Sequence, residues 1–290
     1  MIRPTIAKRE TTLHILKKFG IHMSKKLGQN FLVDEYLVQG IVNAAGINPE
    51  DTVLEVGPGI GTLTQGLAET GAQVVAVELD RKLVSVLGKT LEGYDNVRVI
   101  HGDILKIDIS REISAERYKV VANLPYYITT PIIMKLLEDR LPIDVLVTMV
   151  QKEVAERMVA KPGGKEYGAL SVAVQFYTVP EIVLQVPPAS FIPPPAVESA
   201  VIRCSVRGKP PVELADERLF FRVVKGAFSQ RRKTLSNALK TTGISSEKIT
   251  EILAAAGIDG TRRGETLSLD EFALIANEWH KNIQNETLLM

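Results

Sequence analysis

The sequence predicts an α/β fold with a mostly parallel, seven-stranded sheet, followed by a small all-helical C-terminal domain. The first observation is the stretch 53–64, where an apolar run meets glycines at every second position and then continues with helical spacing. The second is that four further apolar runs follow, over 73–80, 97–105, 118–122 and 143–150. The third is a change to helical spacing beyond residue 208. Strand, loop and helix in this order are typical of a Rossmann-like fold.

The glycine loop predicts a site for a flat, polar ligand. Gly57, Gly59 and Gly61 lack the Cβ that would keep a ligand off the backbone, and they tolerate positive φ. A nicotinamide site is the main alternative, but its fingerprint is G-x-G-x-x-G, and Thr62 stands where the last glycine should be. A glycine turn in some other α/β protein also stays open on this motif alone. E-x-G-x-G-x-G, which begins at Glu55, instead resembles the first motif of S-adenosylmethionine-dependent methyltransferases.

Acidic residues follow the next two predicted strands. An acid at the end of the second strand is placed to accept the ribose hydroxyls of a nucleoside, and we expect Glu78 to do so while Asp80 caps the following helix. Asp103, after the third strand, is expected to accept a hydrogen bond from an adenine amine. Each acid taken alone is equally compatible with a helix cap, whereas the three in order after the glycine loop favour ligand binding.

The fourth strand runs into Asn-Leu-Pro-Tyr, the most specific motif in the chain, at residues 123–126. An adenine amine is a poor nucleophile because its lone pair is delocalised into the ring. The side-chain oxygen of Asn123 and a backbone carbonyl at Leu124 or Pro125 would hold both amine hydrogens and turn that lone pair toward a methyl group. Tyr126 offers a face on which a base can stack. The structural alternative is a buried asparagine before a proline turn.

Composition and charge indicate the partner. The 290 residues carry a net charge of +1, yet residues 1–30 hold seven Lys and Arg against Glu10 alone, and residues 207–240 are also basic. Two basic stretches on a near-neutral protein suggest a polyanion, although solvated surface lysines are an equally good reading of either stretch alone. The single cysteine, Cys204, excludes an internal disulfide. Because there is no secretory signal and no bilayer-length apolar run, we expect a cytoplasmic protein without a membrane partner.

The C-terminal part is expected to bind RNA. Residues 169–179 and 198–206 predict a last antiparallel pair of strands, and helices are predicted over 219–228, 233–240, 249–256 and 269–279. Cations at a helix start oppose the helix dipole, so we interpret the cluster Arg231, Arg232 and Lys233 as phosphate-binding. Arg262 and Arg263 are candidates for the same surface, with a solvated loop as the alternative.

Taken together, the motifs resemble the rRNA adenine dimethyltransferase family over nearly the whole chain. In family order the sequence has K-K-L-G-Q-N-F-L, E-V-G-P-G-I-G-T-L-T, V-E-L-D, G-D-I-L, N-L-P-Y-Y, Q-K-E-V-A-E-R-M, F-I-P-P-P-A-V-E-S and S-Q-R-R-K-T-L. The resemblance implies a class I methyltransferase domain over 25–207, a basic extension over 1–24 and an RNA-binding helical domain over 208–290. It also implies S-adenosyl-L-methionine as methyl donor, with S-adenosylhomocysteine as product, and no metal.

The resemblance further assigns individual residues and a substrate. It implies that the donor is held by Asn30, Leu32, Gly57, Glu78, Asp103 and Asn123, with Gly59 and the backbone at Leu79 and Ile104 completing the walls. Phe191 would be a second aromatic face, sandwiching the target adenine against Tyr126. The structural alternative for the proline-rich segment that contains it is a rigid polyproline linker. The substrate would be two adjacent adenines near the 3′ end of 16S rRNA, in an assembling small (30S) subunit, and we expect a monomer.

Two functional alternatives share these motifs in whole or in part. An Erm-type enzyme, which methylates one adenine of 23S rRNA, has every catalytic motif; the longer C-terminal domain and the segments 151–158 and 191–199 favour the small-subunit interpretation. A non-catalytic RNA-binding assembly factor would not need Asn123 and an intact glycine loop.

Overall fold

The computed structural model describes residues 4–22 and 29–288, and these form two compact units. The first unit comprises Met1–Ala155 with Pro180–Val206, and the second comprises Glu156–Val179 with Arg207–Met290.

Nine strands lie in the described residues, and seven of them form one sheet. The strands are β1 (Phe31–Leu32), β2 (Thr52–Val56), β3 (Gln73–Glu78), β4 (Val97–His101), β5 (Tyr118–Asn123), β6 (Ile143–Gln151), β7 (Thr178–Val186), β8 (Phe191–Ile192) and β9 (Ser199–Val206). The large sheet has the order β4-β3-β2-β5-β6-β9-β7. Strands β2 to β6 run parallel and β9 runs antiparallel to β6. The predicted seven-stranded, mostly parallel sheet is therefore confirmed.

Twelve α-helices are present in the same residues. They are α1 (Arg9–Lys18), α2 (Glu35–Ala45), α3 (Thr62–Ala68), α4 (Arg81–Thr90), α5 (Ile109–Glu112), α6 (Thr129–Glu138), α7 (Lys152–Val159), α8 (Ala169–Tyr177), α9 (Glu217–Phe228), α10 (Leu235–Leu239), α11 (Ser246–Ala255) and α12 (Leu269–Leu288). None of these helices is both long enough and apolar enough to cross a bilayer.

The central parallel strands, β2 and β5, form because their residues are largely apolar on both faces. Val53, Leu54, Val120 and Val121 are all at most 1% exposed, as expected for a sheet covered by helices on both sides. Helix α2 is capped by Asp34, whose carboxylate accepts a hydrogen bond from the Leu37 N–H at 3.2 Å.

The predicted strand over 169–179 is wrong for most of its length. Residues Ala169–Tyr177 form helix α8, and the strand begins only at Thr178. Seven of the nine residues of α8 are buried, so the alternation that distinguishes a half-buried strand from a helix is lost. The helix start is fixed by Ser171, whose Oγ accepts a hydrogen bond from the Gly168 N–H at 3.0 Å.

The N-terminal residues pack onto the first unit. The Ile6 N–H donates to Gln65 Oε1 at 2.7 Å, just before α1 begins. Ile15 and Leu16 are buried against residues of α4, while Leu13 is 49% exposed. Arg3 of the basic extension and residues 25–28, which open the K-K-L-G-Q-N-F-L motif, lie outside the described residues.

The second unit is built around aromatic side chains. Phe176 of α8 stacks on Phe220 of α9 with a centroid distance of 5.1 Å, and the Tyr177 hydroxyl donates to Glu217 at 2.8 Å. Residues 156–179, which the sequence analysis assigned to the methyltransferase domain, therefore pack with the helical residues. The chain returns to this unit at Arg207, one residue before the predicted start of the helical domain at 208.

Candidate active site

The first unit contains an open cavity at the carboxyl ends of strands β2 to β5, with an empty volume of about 1070 Å³ including the solvent at its mouth. The carboxyl edge of a parallel sheet is where α/β proteins bind their ligands. The cavity wall includes every predicted donor-binding residue, namely Asn30, Leu32, Gly57, Gly59, Glu78, Leu79, Asp103, Ile104 and Asn123. It also includes Leu124, Pro125 and Tyr126.

The glycine loop has the backbone conformation that its sequence predicted. Gly57, Gly59 and Gly61 have φ values of 71°, 62° and 94°, a region that favours glycine. At Gly59 a Cβ would also lie 3.3 Å from Cε1 of Phe31. The bare loop thus forms the floor of the cavity and leads directly into α3.

Glu78 is bound by this loop. Its Oε2 accepts a hydrogen bond from the Gly59 N–H at 3.1 Å and its Oε1 accepts one from the Asp80 N–H at 2.8 Å. Burial raises the pKa of Glu78 above its ordinary value, and the two backbone donors oppose that shift. Asp80 caps α4, as predicted, by accepting from the Lys82 N–H at 2.9 Å. Both acids line the cavity, but Asp80 is used as the cap of α4, so Glu78, held at the glycine loop, is the better placed of the two to accept from a ligand.

Asp103 lies beside Glu78 along the cavity rim. Its Oδ1 accepts from the Leu105 N–H at 3.0 Å, and its Oδ2 is 3.5 Å from the Lys106 ammonium. The carboxylate is partly exposed to the cavity, so it retains acceptor capacity for a ligand amine.

Asn123 ends β5 with a fixed amide orientation. Its Nδ2 donates to the backbone carbonyl of Asn30 at 3.2 Å. Because a carbonyl can only accept, the amide nitrogen must face Asn30, and Oδ1 is left as the acceptor for a ligand. The segment that precedes β1 thereby orients Asn123, the first residue of the Asn-Leu-Pro-Tyr motif.

Tyr126 is also fixed at its polar end. Its hydroxyl lies 2.6 Å from Oγ of Ser199, which is buried at the start of β9. Burial raises the pKa of the Tyr126 hydroxyl, so the ring stays neutral. Next to it, the Pro125 carbonyl already accepts hydrogen bonds from Thr129 Oγ1 at 3.0 Å and from the Ile128 N–H at 3.2 Å.

Phe191 is not in the cavity wall. Its side chain is fully buried in the hydrophobic core, and β8, which it begins, pairs with β1. In this conformation its ring is closed off by core side chains and offers no face to a base. The predicted stacking of an adenine between Tyr126 and Phe191 is therefore not found here, and of the two rings only that of Tyr126 reaches the cavity.

Two wall residues were not predicted as ligands. Glu55 and Thr62 are buried, and neither Oε2 of Glu55 nor Oγ1 of Thr62 has a hydrogen-bond partner among the described residues. Burial raises the pKa of Glu55 to about 8, and the nearby Glu78 carboxylate adds to the shift. The signal was present, because Glu55 opens the E-x-G-x-G-x-G motif, but the motif does not reveal that the acid lacks a partner.

The predicted RNA-binding cations divide into two groups. Arg262 holds the Glu271 carboxylate through both terminal nitrogens and also donates to Thr266. Arg231 donates to the Lys165 carbonyl at 2.5 Å. These two guanidinium groups stabilise the second unit, so the phosphate contacts predicted for Arg231 and Arg262 would compete with these bonds. By contrast, Arg232, Lys233 and Arg263 are exposed, and no described side chain pairs with them.

Adjacent arginines allow this division to be tested. We expect Arg262→Ala to lower the free energy of unfolding by about 1.5–3 kcal/mol, because it leaves a partly buried carboxylate without its charged partner. Its neighbour Arg263→Ala should change stability by less than about 0.5 kcal/mol but weaken RNA binding. Urea unfolding and RNA titration of both variants give the comparison. A stable Arg262→Ala protein with weakened RNA binding would contradict it.

The fold and the cavity define the class of the protein. A glycine loop, acids after successive strands and Asn-Leu-Pro-Tyr at the end of β5 make the first unit an S-adenosylmethionine-dependent methyltransferase acting on an amine. Residues 20–281 match the family model for ribosomal RNA adenine dimethylase, and the chain belongs to this family.

Similar proteins span nearly the whole chain. The ribosomal RNA small subunit methyltransferase A of Alkaliphilus oremlandii is 50% identical over 284 residues, covering 96% of this chain and 99% of that protein. The protein of the same name from Moorella thermoacetica is 52% identical, covering 94% and 98%.

Two solved structures are similar as well. A dimethyladenosine transferase from Plasmodium falciparum has a TM-score of 0.74 at 27% identity, covering 87% of this chain and 98% of its own. The 23S rRNA methyltransferase ErmE has a TM-score of 0.65 at 26% identity, with coverage of 86% and 99%.

Proposed function

We propose that this protein transfers methyl groups from S-adenosyl-L-methionine to the exocyclic N6 amines of two adjacent adenines near the 3′ end of 16S rRNA. It forms N6,N6-dimethyladenosine in the assembling 30S subunit in the cytoplasm, and it acts as a monomer. The observation that carries this proposal is Asn123, which lines the cavity together with the glycine loop and Tyr126 and whose amide nitrogen is held by the Asn30 carbonyl, so that its oxygen is left as an acceptor.

The relatives favour the small-subunit substrate over its alternative. Sequence relatives that are about half identical over almost their full length carry the name small subunit methyltransferase. The 23S enzyme ErmE shares the fold at 26% identity, so the catalytic motifs alone do not separate the two substrates. The higher identity to the small-subunit enzymes decides between them.

The cavity suits the methyl donor. Glu78 supplies a carboxylate for ribose hydroxyls, Asp103 an acceptor for the adenine amine, and the glycine loop a floor without side chains. Glu55 and Thr62 add polar atoms that have no partner among the described residues, as expected of a wall that a polar ligand completes. When bound, the donor supplies an electrophilic methyl group on a sulfonium.

The chain's own contribution is to orient the acceptor amine. Oδ1 of Asn123 takes one amine hydrogen. Because the Pro125 carbonyl is already engaged twice, the Leu124 carbonyl is the better acceptor for the second. With both hydrogens held, the nitrogen lone pair turns out of conjugation and toward the methyl group. Such positioning supplies most of the catalysis that an in-line displacement needs.

Tyr126 holds the base in this position. The target adenine must leave its stack, at a cost of a few kcal/mol, and stacking on an aromatic ring returns about 1–3 kcal/mol. The hydrogen bond between the hydroxyls of Tyr126 and Ser199 fixes the ring before the base arrives. Exposed Arg232, Lys233 and Arg263 would bind phosphates of the surrounding RNA.

The function is tested by transfer of labelled methyl groups to unmethylated small subunits, large subunits and naked rRNA, followed by separation of the product nucleosides. We expect dimethyladenosine from small subunits, with two methyl groups on each of two adenines. Label in 23S rRNA would instead identify an Erm-type enzyme. No label despite normal donor binding would identify an RNA-binding assembly factor.

A further inference from the structure

Helices α1 and α4 form a pair on the surface of the first unit. Ile15 and Leu16 of α1 pack with Leu83 and Val86 of α4 in one hydrophobic cluster. The side chain of Gln65 links the start of α1 to the end of α4. It donates to the Pro4 carbonyl, which precedes α1, and to the Tyr94 hydroxyl, which follows α4.

The opposite ends of the helices are joined as well. The Lys82 ammonium, in the first turn of α4, donates to the Gly20 carbonyl just beyond α1. The two helices are therefore antiparallel neighbours, and their solvent faces lie side by side. The last turn of α1, with Lys17 and Lys18, is next to the first turn of α4, with Arg81 and Lys82.

The solvent face of this pair is strongly basic. The two helices carry six exposed cations against the single acid Glu10, and one of the six, Lys82, also donates to the Gly20 carbonyl. The six are Arg9, Lys17, Lys18, Arg81, Lys82 and Lys89. The two helices thus carry a net charge of +5, whereas the whole chain carries +1, so the remainder carries −4. No acidic side chain of the described residues pairs with any of the six. Elsewhere on the unit, exposed arginines such as Arg98 and Arg117 do have carboxylate partners.

The basic face adjoins the catalytic cavity. Leu83 of α4 and its capping residue Asp80 both line the cavity wall. A polyanion that places one of its bases in the cavity must continue across the rim, and α4 begins at that rim. Unpaired cations at such a place bind backbone phosphates without reading the base sequence.

We propose that the α1–α4 face is a second RNA-contact surface, separate from the cations of the helical unit, and that it binds the phosphate backbone next to the methylated adenines. This inference rests on the proposed function and assigns a role to the N-terminal helix. The cations act as point charges, so their loss weakens binding of RNA at every sequence and leaves the chemistry intact once RNA is bound.

The test compares two triple variants with the same change in charge. Lys17→Gln, Arg81→Gln and Lys89→Gln together remove three cations of the face. The matched control combines Arg98→Gln, Arg111→Gln and Arg117→Gln, which removes three exposed cations of the same unit that have carboxylate partners. Binding to unmethylated small subunits and to naked 16S rRNA is titrated over a range of salt concentrations, with donor affinity and melting temperature measured in parallel.

We expect the first variant to bind RNA about tenfold more weakly near 0.1 M salt. The slope of log K against log salt concentration should become less steep by about 2. Its KM for subunits should rise while kcat at saturating subunits is kept. The control should stay within about threefold of wild type, and the charge-preserving variant with Lys17→Arg, Arg81→Lys and Lys89→Arg should bind normally.

Three results are distinguishable. Equal behaviour of the two triple variants would overturn the inference, because net charge alone would then explain the effect. Wild-type affinity and salt slope in the first variant would also overturn it. Failure of the wild-type enzyme to methylate small subunits would refute the proposed function instead, since the binding titrations do not depend on methyl transfer.

Discussion

Asn123→Ala is expected to lower kcat by about 10²–10³-fold while donor affinity changes by only a few-fold. Removing one preoriented polar group that acts in the transition state costs roughly this much in other enzymes. The alanine removes the acceptor for one amine hydrogen, and the lone pair then stays partly delocalised in the adenine ring. The donor keeps its contacts with Glu78, Asp103 and the glycine loop. Single-turnover methylation and donor titration by calorimetry measure the two quantities separately.

Asn123→Asp serves as the second variant. It keeps an acceptor oxygen but loses the Nδ2 donor to the Asn30 carbonyl, so a carboxylate oxygen would face that carbonyl. We expect turnover between that of the wild type and that of Asn123→Ala, because the acceptor is present but poorly oriented. Equal losses of donor affinity and turnover in Asn123→Ala would show that Asn123 holds the donor and does not orient the amine.

The sequence was sufficient to predict those elements whose structure depends on neighbouring residues and on the order of the strands. The central parallel strands are largely apolar on both faces, and the glycines at every second position have positive φ. Asp34 and Asp80 are caps because each lies directly before a helix. The carboxyl ends of parallel strands meet at one edge, so the order of Glu78, Asp103 and Asn123 along the chain was enough to bring them together.

The remaining features depend on tertiary contacts that spacing does not report. Residues 169–177 are buried on nearly every side, so the side chains carry no periodic signal for helix or strand. Arg262 and Arg263 are adjacent arginines that the sequence does not distinguish. Glu271 nevertheless pairs with Arg262, and Arg263 stays exposed. Phe191 was assigned by family resemblance, and its burial follows from the pairing of β8 with β1.

Glu55→Gln should stabilise the protein at pH 8 by roughly 4 kcal/mol in the absence of donor and by less than about 1 kcal/mol near pH 5. Burial raises the pKa of Glu55 from 4.5 to about 8, so the folded state holds its proton across this range while the unfolded state releases it. The wild type is therefore most stable with respect to this group below pH 4.5. It loses stability as the pH rises toward 8, and the loss then levels off. The glutamine cannot ionise, so its stability does not follow this slope.

Urea unfolding of both proteins at several pH values measures the difference, and Glu50→Gln, which removes an exposed carboxylate, should keep the wild-type slope. If Glu55→Gln were less stable than wild type at every pH, the carboxylate would be ionised and structural. A buried acid that destabilises the folded state at neutral pH breaks the local rules of a stable core, and proteins keep such residues at functional sites. Because Oε2 of Glu55 lacks a partner and lines the cavity, saturating donor should reduce the wild-type slope and leave that of Glu55→Gln unchanged.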